Sequence, residues 1–121
     1  MIVGKHVVAD VVLLDEWKSF AISATMINDP VEYLQRCLEN ANATILGVKS
    51  HHFPGGGVTV IFLLAESHLS IHTWPEHSGF CIDIFTCGTK VCPVAVIESI
   101  LFDLKDLLKN KSIAVLDRNI S

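Results

Sequence analysis

The sequence predicts an α+β fold, a two-layer sandwich in which a mostly antiparallel sheet carries two helices on one face. Three observations predict it. The elements read in the order β-α-β-β-β-β-α-β, and two segments carry apolar residues at helical spacing. Half of the 121 residues are apolar, enough to build one core without metal or disulfide staples. Residues 1–121 therefore read as one domain, with no repeat, linker or low-complexity tract.

Residues 6 to 14 are apolar and β-branched, which predicts a first strand. A helix follows, with Asp29 as N-cap, Pro30 at the first helical position, Val31, Leu34, Leu38 and Ala41 on one face, and Asn40 to Asn42 as its stop. Residues 44 to 48 predict a second strand that continues through His51, His52 and Phe53, until PGGG at 54 to 57 breaks it as a loop. The apolar run at 58 to 65 is short enough for a buried strand. Next, Leu69, Ile71 and Thr73 alternate with His68, Ser70, His72 and Trp74, so this strand has one polar face. Residues 80 to 86 form another strand, ended by Cys87 and Gly88. From Pro93, Val94, Ile97, Ile100, Leu101, Leu104, Leu107 and Leu108 mark an amphipathic helix of about four turns that stops near Asn110. Residues 113 to 116 are the last strand.

A formal charge of -4 without Lys/Arg clusters argues against a nucleic-acid or anionic-membrane surface, so a small ligand is expected. The N-terminal stretch carries Lys5 and Asp10 and lacks a small-residue cleavage site, and the run at 58 to 65 is too short to cross a bilayer. A cytoplasmic protein is expected. Cys37, Cys81, Cys87 and Cys92 show no zinc-finger spacing and are expected to be free thiols. His51 and His52, adjacent in a strand, point to opposite faces, and no metal site is expected there or at the His68, His72 pair. His51, His52, His68, His77, Cys37, Cys81 and Cys92 are read as structural.

The informative segment is LLAESHLSIHTWPEHSGFCIDIFTCG at 63 to 88. Its ESHL, IHTWPE and IDIFTCG blocks stand in register with those of the small bacterial and archaeal S-adenosylmethionine decarboxylases, which this chain resembles. GKH at 4 to 6, HHF at 51 to 53 and GVT at 57 to 59 extend the resemblance over nearly the whole chain.

The resemblance implies a proenzyme. A decarboxylation leaves an electron pair that no ordinary side chain can accept, so an electrophilic carbonyl must be made. The Ser67 hydroxyl would attack the carbonyl of Glu66, converting amide to ester at a strained turn between strands. Removal of the α-proton of residue 67 by His72 would then expel the ester. Hydrolysis of the resulting dehydroalanine leaves a pyruvoyl group on an α chain of residues 67–121, beside a β chain of residues 1–66. Thr59 would donate to the developing oxyanion. In the mature enzyme the pyruvoyl ketone would form a Schiff base with the amine of S-adenosylmethionine and accept the electrons as carbon dioxide leaves. Cys87 would return a proton, Glu76 would bind the ribose hydroxyls, and Phe53 would stack on adenine. Family members of this size build their sites from two protomers, which implies a homodimer.

Two departures from the family pattern bear on maturation and on substrate fit. Val60 stands where the family has glycine, and the aromatic after TWPE is displaced to Phe80, predicting a ring on the opposite face. Three other readings stay open: decarboxylation of another amino acid such as arginine or ornithine, cleavage of S-adenosylmethionine to methylthioadenosine and homoserine lactone without a pyruvoyl group, and an unprocessed regulatory paralogue.

Overall fold

The computed structural model describes residues 1–87 and 90–120, so Gly88, expected to close the fifth strand, lies outside the described residues. Six strands form one sheet: β1 (Ile2–Leu13), β2 (Ile45–His52), β3 (Val58–Leu64), β4 (Ser67–Trp74), β5 (Gly79–Thr86) and β6 (Leu108–Asn119). Their spatial order is β2-β3-β4-β5-β1-β6, and every neighbouring pair is antiparallel. Strict alternation divides the sheet into two faces. Val7, Ala9, Val11 and Leu13 of β1, Val58, Val60, Phe62 and Leu64 of β3, Leu69 and Ile71 of β4, and Phe80, Ile82 and Ile84 of β5 are buried on one of them.

Among the described residues three helices cover that face: α1 (Ala21–Asn28), α2 (Val31–Asn40) and α3 (Pro93–Asp103). They contribute Met26, Ile27, Leu34, Leu38, Val96, Ile97 and Ile100 to the same core. The α+β class and the one-sided layering agree with the sequence reading. The count of two helices is corrected to three. α1, AISATMIN, is short, uncharged and partly β-branched, so neither propensity nor amphipathic pattern singles it out. Its buried Ser23 hydroxyl donates to the carbonyls of Trp17 (2.6 Å) and Phe20 (3.1 Å), joining the helix to the preceding 3-10 turn at Asp15–Ser19.

The expected cap also shifts. Asp29 closes α1 with its backbone N–H on Thr25, and Pro30 takes the N-cap position of α2 without a side-chain capping bond. With only two residues between helices, Asp29 is committed to the outgoing one. α2 ends at Asn40 as expected, and Asn42 turns the chain with φ 66°.

Two boundaries move, each for its own physical reason. Leu104 and Leu107 remain buried after α3 has ended, through a 3-10 turn at Lys105–Leu107, so their three-residue spacing does not distinguish helix from turn. β6 then runs for twelve residues instead of four, because its solvated edge carries Lys109, Lys111, Asp117 and Arg118 between apolar positions. β2 stops at His52, leaving Phe53 in the loop. Phe80 points into the core, as its displacement predicts, and Val60 is fully buried there. Among the described residues no helix is long and apolar enough to cross a membrane.

Candidate active site

The polar chemistry lies on the sheet face away from the helices and at the two ends of β4. The strand registers pair Leu63 with His68, His68 with Phe85, Phe85 with His6, and His6 with Leu116. Thr59, His72, Cys81 and Asp10 are paired in the same way four residues along. Partners in register share a face, so one continuous surface carries all of these side chains.

At one end, β3 turns into β4 through the two residues Ala65 and Glu66, with Leu64 paired to Ser67. Glu66 has φ 63°, a left-handed backbone that side-chain-bearing residues adopt at a cost. The strained turn expected before Ser67 is therefore present. Ser67 starts β4 and its hydroxyl donates to the Ala65 carbonyl at 3.2 Å. Cys87, just past the end of β5, donates its thiol to the Glu66 carbonyl oxygen at 2.5 Å. It also lines a pocket of about 270 Å³ with Gly4, Lys5 and Thr86. Gly4 is required in that wall, since a Cβ there would stand 2.4 Å from the Thr86 carbonyl oxygen.

At the other end, Phe53, Thr59, His72, Trp74 and Glu76 line a second pocket of about 360 Å³. The Thr59 hydroxyl lies 3.0 Å from His72 Nδ1 across the β3–β4 pair. Glu76 sits in a 3-10 turn at Pro75–His77, and half-exposed Phe53 packs edge-on against His51 at 4.8 Å. The loop that carries Phe53 is closed by its N–H on the Gly57 carbonyl and by Gly56 N–H on its own carbonyl, both at 3.0 Å.

The seven predicted site residues thus form two groups. Glu66, Ser67 and Cys87 meet at one end of β4, and Phe53, Thr59, His72 and Glu76 at the other. Five residue steps along the extended strand lead from Ser67 to His72, roughly 16 Å. Within one chain His72 cannot reach the α-carbon of Ser67.

Sequence reasoning missed a third group between the two ends. Asp83 accepts from His6 Nε2 at 2.6 Å, from His68 Nε2 at 2.9 Å, and from the Ser70 hydroxyl. Burial pushes the Asp83 carboxyl up, but the bonds from Ser70, His6 and His68 together outweigh it and hold it below its ordinary value. Arg118 Nη1 lies 2.9 Å from His6 Nδ1. A guanidinium only donates, so Nδ1 accepts and the ring proton sits on Nε2, facing Asp83. The donor atoms of His6, His68 and Asp83 lie within 4.8 Å of one another, as a metal site would require. A metal on Nε2 would need the proton on Nδ1, where Arg118 already donates, so this arrangement favours hydrogen bonding over ligation. The signal for the group is the polar alternation of β4, matched by Asp83 on β5.

Cys81, across the sheet from His72 and Asp10, has its thiol pushed up to about 11, first by burial and then by the hydrogen bond with Asp10. It is a neutral thiol at physiological pH. All four cysteines are free.

Residues 8–118 match the family model described as S-adenosylmethionine decarboxylase. An S-adenosylmethionine decarboxylase proenzyme of Pyrobaculum aerophilum is 38% identical over 112 residues, covering 87% of this chain and 81% of its own. An arginine decarboxylase proenzyme of Aeropyrum pernix is 40% identical over 111 residues, covering 87% and 77%. The crystal structure of the adenosylmethionine decarboxylase from Aquifex aeolicus VF5 superposes with a TM-score of 0.79 at 31% identity, covering 99% of this chain and 93% of that one. With the family model matching most of this chain, and relatives this similar over most of theirs, the chain belongs to the S-adenosylmethionine decarboxylase family of carboxy-lyases.

Proposed function

We propose that the chain is a proenzyme that cuts itself between Glu66 and Ser67 and then decarboxylates S-adenosylmethionine as a homodimer whose two active sites are each shared between copies. The observation that carries the reading is the division of the site residues between the two ends of β4. A face-to-face pair related by a two-fold axis brings the Ser67 end of one copy to the His72 end of the other, twice. The sheet face available for such a pair carries exposed Ile61, Leu63, Trp74 and Leu116 around its polar groups.

The local geometry supports self-cleavage. The left-handed Glu66 holds the scissile peptide in a strained turn, and the neighbouring Ser67 hydroxyl is the nucleophile for its carbonyl carbon. The hydrogen bond from Cys87 falls on the oxygen that gains charge in that attack. Attack breaks the C–N bond, forms a C–O ester and frees the amine of residue 67. His72 of the second copy removes the α-proton, Glu66 leaves as a carboxylate, and water hydrolyses the resulting dehydroalanine with loss of the residue 67 nitrogen as ammonia. Thr59 supports this by fixing the orientation of the His72 ring through Nδ1.

A pyruvoyl group at residue 67 supplies the ketone that takes up the substrate amine and the electron pair left by carbon dioxide. The fit rests on Ser67 lying half-buried at a strand end, with the Cys87 thiol beside it to return a proton. On the far side of the shared site, Phe53 offers a face for adenine and the sulfonium, and Glu76 accepts from the ribose.

The test is intact-mass spectrometry together with carbon dioxide release from carboxyl-labelled substrate. Wild-type protein is expected as two chains with activity, and Ser67→Ala as one uncut, inactive chain. Carbon dioxide release from the Ser67→Ala protein would overturn the mechanism, and lactone release from an uncut wild type would replace it. Relatives named arginine decarboxylase proenzyme, at identities like those of the S-adenosylmethionine enzymes, favour a second reading of the substrate. Labelled arginine belongs in the same assay.

A further inference from the structure

We propose that the Asp83 carboxylate, with the side chains that donate to it, is the joint that holds the start of β4 in place after the Glu66–Ser67 bond is cut. The inference rests on self-cleavage as proposed above. In the uncut chain the first residues of β4 are held by a two-residue turn as well as by the ladders to β3 and β5. Cutting removes the turn and leaves Ser67 at a free strand end, where local opening is easiest. Residue 67 is also where the reacting group must stand, and a small displacement there costs a large factor in rate.

The side chain of the next residue, His68, is bound to Asp83 at 2.9 Å, and Ser70, two residues on, is bound to the other oxygen of the same carboxylate. Asp83 sits inside β5, which is not cut. His6, on β1, binds the carboxylate at 2.6 Å, and Arg118 of β6 holds the other nitrogen of His6 at 2.9 Å. His6 belongs to the segment 1–66, whereas Asp83, His68, Ser70 and Arg118 belong to 67–121. Two of these contacts therefore join the two products of cleavage. The Asp83 and His6 side chains are 22% and 17% exposed, so the charged acceptor works in a sheltered setting where such bonds are strong. Among the described residues the other ion pair between the products, Lys5 with Asp117 at 2.8 Å, is about half exposed on both sides and adds little.

Asp83 is thus a positioning residue, acting on residue 67 through His68. A merely stabilising cluster would matter equally before and after cleavage, whereas a joint matters after it. Four proteins separate the two cases: wild type, Asp83→Asn, Ser67→Ala, and the double variant. Hydrogen exchange at the amides of residues 68 to 70 is the measurement. In the cut pair, Asp83→Asn is expected to exchange about tenfold faster than wild type, and in the uncut pair the same change is expected to have less than about a twofold effect. The cut Asp83→Asn enzyme should lose about tenfold in kcat with KM within about twofold.

Equal acceleration in both pairs, or none in the cut pair, would overturn the joint. An uncut wild type, seen by mass before any exchange is measured, would instead overturn the cleavage reading and the joint along with it. If Asp83→Asn does not fold, His6→Leu makes the same comparison, and His6→Gln, which keeps a donor toward Asp83, should recover part of the loss.

Discussion

A left-handed backbone costs a non-glycine residue about 1–2 kcal/mol, and at Glu66 that cost falls on the residue whose carbonyl is attacked in the proposed self-cleavage. Asp83 illustrates the opposite use of a local environment. Its carboxyl titrates below the ordinary value in the folded chain, so on acidification the unfolded chain binds the proton first. Its contribution to stability is complete above about pH 4 and disappears as pH falls through the lowered folded value. Denaturant titrations between pH 2 and 7 should show this loss in the wild type and a shallower one in Asp83→Asn. Equal slopes would mean that the histidines and Ser70 do not hold the charged form. Ser67 and Glu66 were legible in the sequence because they sit in one contiguous block. His6 with Asp83 was not, because 77 positions separate them and only the register of β1 on β5 brings them together.

At the level of elements, the loop that presents Phe53 depends on a glycine. Gly57 has φ 90°, and a Cβ there would stand 2.7 Å from the Thr73 carbonyl oxygen, where β4 passes beneath the loop. Gly57→Ala should cost about 1–3 kcal/mol from backbone strain alone. It should also weaken substrate binding, raising KM more than it lowers kcat. An unchanged melting temperature would show that the loop can be rebuilt. The strands flanking this loop were legible because their period of two is sharp, as in the buried alternation of Val58, Val60, Phe62 and Leu64. α1 was not, since its eight residues are fixed by tertiary burial of Ser23, Met26 and Ile27 and carry no pattern of their own. β6 was underestimated because an edge strand hides its period under charge.

For the whole molecule, the division of the site makes complementation the sharpest test. Ser67→Ala and His72→Ala should each be inactive alone. Co-expressed in equal amounts and pairing at random, they should recover about a quarter of wild-type activity, since half the dimers are mixed and each mixed dimer has one intact site. No recovery would mean that each chain works alone. The separation of Ser67 from His72 follows from the rise of a strand, so it was implicit once both were assigned to one strand. What the sequence could not supply was the second pocket around Phe53 and Glu76, which needs the loop, the 3-10 turn and two strands folded together.

The distance along β4 also has a consequence for timing. If Ser67 and His72 are nucleophile and base as proposed, they stand at opposite ends of one strand, and the first encounter with a sister molecule starts the clock of maturation. Newly made protein should stay dormant while it is scarce and switch on once its abundance passes a threshold. The rate at which the uncut form disappears is expected to rise with concentration at high dilution and to level off once pairing is complete, as quenched time courses over a dilution series would reveal.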